Sequence, residues 1–79
     1  MPAEDVHAVK MVRRELNRRK IDSSLVDVRV SHGVVYLRGQ VKPIRGGAED
    51  LHAEIDHVVR ALRTRPEFRD VIIDLIFRT

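Results

Sequence analysis

Apolar residues recur along this chain with two different periods, and the switches between them divide it into five elements. Val6, Val9, Val12 and Leu16 follow the three-and-four spacing that gathers side chains on one side of a helix, which predicts a helix over 4–20. Ile21-Asp22-Ser23-Ser24 breaks that period, because short polar side chains offer the backbone competing hydrogen bonds. From Val26 the pattern alternates strictly, with Val26, Val28 and Val30 on one face and Asp27 and Arg29 on the other, as in a half-buried strand. Ser31-His32-Gly33 supplies a turn. In the strand that follows, Val35, Leu37 and Val41 share a face with Gly39, while Val34, Tyr36, Arg38 and Gln40 share the opposite one. Two alternating runs joined by a short Gly-containing turn predict a hairpin.

Lys42-Pro43-Ile44-Arg45-Gly46-Gly47 carries neither period, and Pro43 is expected to end the second strand and open a loop. Helical spacing returns with Leu51, Ile55, Val58, Val59 and Leu62 over 48–64. Glu49, Asp50 and Glu54 at its start and Arg60, Arg63 and Arg65 at its end match the helix dipole, and Pro66 closes it. The β-rich run Val71-Ile72-Ile73-Asp74-Leu75-Ile76-Phe77 predicts a last strand with Val71, Ile73, Leu75 and Phe77 inward.

The order helix, strand, strand, helix, strand defines an α+β fold, α-β-β-α-β, with a three-stranded mixed sheet and two helices packed on one face. A helical crossover joins the second and third strands, so these run parallel, either adjacent or with the first strand between them. Two helices cover one sheet face and leave the other open. That face would present Val34, Tyr36, Ile72 and Ile76 among Asp27, Arg29, Arg38, Gln40 and Asp74, more apolar than a solvated face usually is. Val34, Tyr36, Arg38, Ile72 and Ile76 are therefore the candidate face for self-association or an apolar ligand.

At 79 residues the whole of 1–79 is read as a single domain, whose small core needs good packing or a partner chain. No apolar run reaches the ~18 residues of a membrane span. Met1-Pro2-Ala3-Glu4-Asp5 lacks the pattern of a secretory signal, so a cytoplasmic location is expected. The absence of Cys removes thiol chemistry and disulfides. Net charge is only +3, yet residues 1–47 carry 10 basic and 5 acidic groups while residues 48–79 carry 5 and 7. Lys10, Arg13, Arg14, Arg18, Arg19 and Lys20 concentrate the excess around the first helix.

The stretch from Ile21 to Val30, continued by His32-Gly33-Val34-Val35-Tyr36-Leu37-Arg38-Gly39-Gln40-Val41, resembles the BON domain. The matching features are a breaker cluster before a Val-x-Val-x-Val strand, a Gly at the hairpin turn and a Leu-x-Gly-x-Val end to the second strand. They cover about 20 residues closely, and the rest agrees in element order. The resemblance implies a small α/β module that contacts phospholipid or binds a solute, commonly in the cell envelope or beside other domains. Arg65-Pro66-Glu67-Phe68-Arg69-Asp70 stands where the family usually has a Gly-Val pair, and Ile73-Asp74-Leu75 where its last strand is usually Asn-rich.

Reactive constellations are sparse. His52, Asp56 and His57 share the second helix without the His-x-x-x-His spacing that would place two metal ligands on one face, and no metal or other cofactor is expected. Ser23, Ser24 and Ser31 lie in turn contexts rather than at a nucleophile elbow, and Glu49, Asp50 and Asp56 fall on an exposed helix face where nothing would tune them for acid-base work. Gly46-Gly47 before a helix suggests a phosphate cradle, but Glu49 and Asp50 already answer the dipole there. No enzymatic activity is expected.

Lys10, Arg14 and Arg18 are the sharper signal. They repeat every four residues with His7 and Met11 beside them, and like charges at that spacing destabilise a helix by roughly 0.2–0.5 kcal/mol per pair. An anionic partner would offset this: phospholipid headgroups, nucleic-acid phosphates, or an acidic protein surface such as the second half of another copy. The expected function is thus a non-catalytic interaction module that binds an anionic surface or a partner protein and self-associates as a homodimer through its open sheet face. The alternative is a nucleic-acid-binding module using the same helix, which has few aromatics to stack on bases, with Tyr36, Phe68 and Phe77 in the whole chain and Phe77 expected in the core.

Overall fold

The computed structural model of the chain describes residues 6–47 and 49–78. Helix α1 spans Val6–Asn17 and helix α2 Leu51–Arg63; the strands are β1 (Ile21–Asp22), β2 (Val26–Ser31), β3 (Val34–Pro43) and β4 (Asp70–Phe77). The fold is α+β as the periodicities require, with one difference: the sheet has four strands rather than three. The additional strand, β1, lies inside the breaker cluster, where Ile21 pairs with Pro43 and Asp22 with Lys42. Two residues carry no period, so no alternation marks them. The same pairing carries β3 through Lys42, which was expected in the loop, and the strand ends at Pro43 as expected, since a sheet tolerates Pro at the end of a strand.

Strand β3 is the centre of the sheet. β2 pairs with it antiparallel, β1 continues along that same edge, and β4 runs parallel along the other. The sheet is therefore mixed, and the two parallel strands are adjacent. His32 at φ 51° and Gly33 at φ 79° join β2 to β3, the two positive φ values of the tight turn whose twist matches a hairpin. Gly39 has φ 113°, and a Cβ there would lie 2.1 Å from the Leu25 carbonyl oxygen, which accepts the Gln40 amide. The chain can approach so closely only because position 39 has no side chain.

The core lies between the sheet and the helices. From the strands come Val26, Val28, Val30, Val35, Leu37 and Val41, and from α2 all of Leu51, Ile55, Val58, Val59 and Leu62. In α1 the buried set is Ala8, Val12 and Leu16, a stripe rotated from the expected one, which leaves Val6 exposed and Val9 half-buried. Phe68, in the connection after α2, fills the core, whereas Phe77 is only half-buried. Arg13 reaches back from α1 to donate to the carbonyls of Ser23 and Val26, tying the helix to the start of β2. Arg19 pairs with Glu54 at 2.7 Å and joins the two helices. Among the described residues no helix is long and apolar enough to cross a membrane.

Candidate interaction surfaces

The two sequence-derived surfaces form on opposite sides of the molecule. Helix α1 ends at Asn17 rather than at the expected residue 20, but Arg18, just past its end, still donates its amide to the Arg14 carbonyl at 3.2 Å. At 100° per residue, the line through Lys10, Arg14 and Arg18 is thus rotated about 200° from the buried line through Ala8, Val12 and Leu16. Packing α1 on the sheet therefore turns the three cations outward, over a span of about 12 Å. All three are exposed. Arg18 pairs with Glu15 at 3.1 Å with its own side chain 66% exposed, a pair that solvent weakens. Lys10 and Arg14 have no acidic partner among the described residues. Elsewhere four aspartates are engaged by arginines: Asp27 with Arg29, Asp74 with Arg38, Asp56 with Arg60, and Asp70 with Arg63.

On the far side, the open sheet face is ordered by strand register into rows. Ser31, Val34 and Asp70 form the first, Arg29, Tyr36 and Ile72 the second, Asp27, Arg38 and Asp74 the third, and Gln40 and Ile76 the fourth. The sheet thus brings Tyr36 beside Ile72 and Arg38 beside Asp74, an ion pair of 3.6 Å, and it separates Val34 from Ile76 by the height of the face. Val34 and Tyr36 are half-buried, while Ile72 and Ile76 are 45% and 57% exposed. Apolar exposure is concentrated on β4 rather than spread over the face. The helix-facing side of β4 shows the same trend, since Ile73, expected inward, is 40% exposed and Leu75 and Phe77 are half-buried. Alternation alone could not reveal this, because it gives the side on which a residue lies and not whether a helix reaches far enough to cover it.

The remaining candidates have structural explanations. Asp50 caps α2 by accepting the Ala53 amide at 3.1 Å, occupying the helix start where an anion would sit. His52 stacks on Phe77 with ring centroids 3.7 Å apart, and Asp56 turns to Arg60 at 2.8 Å. These rings, with Pro43, Glu49, Asp50, Leu51 and Arg78, line a shallow depression. Asp22 accepts from the hydroxyl of Ser24 at 2.6 Å and from its amide at 2.9 Å, bonds that hold the carboxyl below its ordinary pKa. Among the described residues no three His, Asp or Glu side chains come together as metal ligands would. Comparison of the chain with protein-family models, with curated proteins and with solved structures finds no match in any of the three.

Proposed function

We propose that the chain is a non-catalytic interaction module, BON-like in its hairpin, that docks on phospholipid headgroups through the outward face of α1. The observation that carries this reading is the charge line itself: Lys10, Arg14 and Arg18 project together from the side opposite the core, and two of them lack a carboxylate partner among the described residues. A straight, protruding row of cations suits an extended anionic plane better than a small ligand, which would need a concavity. Each Lys or Arg near such a surface is worth about 1 kcal/mol, so the row supplies about 3 kcal/mol at most. That is a weak, reversible attachment.

The placement of the aromatic rings favours a lipid surface over nucleic acid. Tyr36 lies on the opposite sheet face, Phe68 is buried in the core and Phe77 is stacked under His52, so among the described residues the His7 imidazole alone flanks the cations, too little for a platform on which successive bases stack. Co-sedimentation tests the proposal directly, using vesicles of phosphatidylcholine alone or with about a third phosphatidylserine, at low and moderate salt. Bound protein should rise with phosphatidylserine and fall with salt, and a single-stranded RNA oligomer should bind less tightly than the anionic vesicles. Equal binding to neutral vesicles, or tighter binding to RNA, would overturn it.

A further inference from the structure

We infer that two copies of this chain pair through the free edge of β4, antiparallel and about a two-fold axis at Asp74, to form one continuous sheet. The inference stands apart from the lipid reading and places self-association at the sheet edge rather than on its open face. β4 is eight residues long and pairs with β3 alone, so its outer edge has no ladder partner among the described residues. Soluble proteins protect such an edge with Lys, Pro, a bulge or a covering loop. β4 has neither Lys nor Pro, its charged side chains are Asp70 and Asp74, each paired with an arginine of the same chain, and Ile72, Ile73 and Ile76 are exposed on both of its faces. A strand short of cover on both faces at once lacks a neighbouring strand, since a helix would cover only one side.

The backbone fixes which groups are on offer. The Arg78 amide donates to the Val41 carbonyl at 2.9 Å, so even-numbered residues of β4 direct their amides and carbonyls to β3. Odd-numbered residues, Val71, Ile73, Leu75 and Phe77, then direct theirs to the free edge. The Val71 amide is accordingly met by its neighbour, the Asp70 carboxylate, at 2.8 Å, and not by a strand.

Antiparallel pairing must place odd residues opposite odd ones, which leaves a small set of registers. With Asp74 opposite Asp74 of the second copy, Ile73 faces Leu75 and Val71 faces Phe77 on the helix side, each within a hydrogen-bonded pair. On the open side Ile72 faces Ile76, and Asp70, which Arg63 of its own chain already holds at 3.4 Å, faces Arg78. Each of the three exposed isoleucines of β4 meets an apolar residue, and an acid meets a base at each end. Shifting the axis by one residue toward Ile73 instead sets Ile72 against Asp74 and Asp70 against Ile76. The unfavourable contact of the preferred register is the central Asp74 pair, and each of these carboxylates has Arg38 at 3.6 Å to balance it. A two-fold axis perpendicular to the sheet puts both pairs of helices on the same side, so the dimer presents two basic rows to one surface.

Light scattering over about a hundredfold concentration range should show a monomer–dimer equilibrium that persists in high salt. Ile73→Lys, at an exposed position, should keep the circular dichroism of the parent and remain monomeric, while Asp74→Asn should tighten dimerisation severalfold by removing the opposed charges. Because the chain has no cysteine, single replacements read the register. Oxidised Asp74→Cys should form a covalent dimer, since position 74 faces itself, and Ile72→Cys should not, because its twin lies roughly 14 Å away along the strands. A monomer at every concentration, a dimer undisturbed by Ile73→Lys, or equal cross-linking at 72 and 74 would each overturn the inference.

Discussion

Replacing Gly39 with Ala should destabilise the protein far more than the addition of one methyl group suggests. The residue sits within β3 at φ 113°, where an L side chain is strained, and the new Cβ would lie 2.1 Å from the Leu25 carbonyl oxygen. That oxygen belongs to the backbone and cannot swing aside as the end of a side chain could. Relief requires moving the start of β2 away from β3, which sacrifices the bond from the Gln40 amide, now 3.2 Å. Backbone strain of about 1–3 kcal/mol together with about 1 kcal/mol for the hydrogen bond gives a loss of about 3 kcal/mol. A domain of this size has about 4–12 kcal/mol in total, and each kcal/mol moves the melting temperature by about 4–8 °C. Thermal denaturation followed by circular dichroism should therefore show a fall of about 15 °C. Gly46→Ala is the control: its φ of 72° is also positive, but no atom lies within 4 Å of the added Cβ. It should cost about 1 kcal/mol. Equal melting temperatures for the two variants would refute the reasoning that close backbone approach, and not φ alone, dictates glycine at position 39.

Arg13→Ala should lose about 1–2 kcal/mol in urea unfolding, because it deletes both bonds that fasten α1 to the Ser23 and Val26 carbonyls, and Arg13→Lys should recover little, since a single ammonium does not reproduce the two-pronged contact. A double-mutant cycle on Arg19 and Glu54, whose side chains are 34% and 17% exposed, should give a coupling of about 1 kcal/mol, against about 0.3–0.5 kcal/mol for the more exposed Arg60–Asp56 pair. The carboxyl of Asp22 titrates lower in the folded chain than in the unfolded one, so its contribution is complete above its unfolded pKa, near 3.8, and disappears as pH falls through the folded value. Asp22→Asn should accordingly flatten the loss of stability below about pH 4 in acid titrations monitored by circular dichroism, and leave its slope unchanged near neutrality. If β4 pairing joins two copies, Ile73→Lys should weaken attachment to anionic vesicles although it lies far from α1, because the monomer carries one basic row in place of two.

The valine alternation of β2, the Leu51 to Leu62 spacing of α2 and the turn at His32-Gly33 were legible because each is a local pattern with one physical solution. β1 was not, since a two-residue strand has no period and is created by its partner, β3. The stripe of α1 was legible as a helix but misplaced in rotation: Val6 fits the spacing yet is exposed at the first turn, and the smaller Ala8 takes the buried position. The cationic row was readable from spacing because Lys10 and Arg14 follow from helix geometry, while Arg18, past the helix end, stays in line through its amide bond to the Arg14 carbonyl. The free edge of β4 was not, because its exposure depends on which strands flank it and on how far α2 extends, and both are properties of the assembled sheet.

The most direct measurement compares two double variants of equal charge on the same anionic vesicles. Lys10→Gln with Arg14→Gln removes two cations from the outward face of α1, and Arg29→Gln with Arg45→Gln removes two exposed cations elsewhere, one on the open sheet face and one in the loop after β3. If α1 is the docking surface, the first should lower the vesicle partition coefficient about thirtyfold, the equivalent of about 2 kcal/mol, and the second should leave it within about twofold of the parent. Equal losses from both would mean that net charge alone governs attachment, and would contradict a built surface on the first helix.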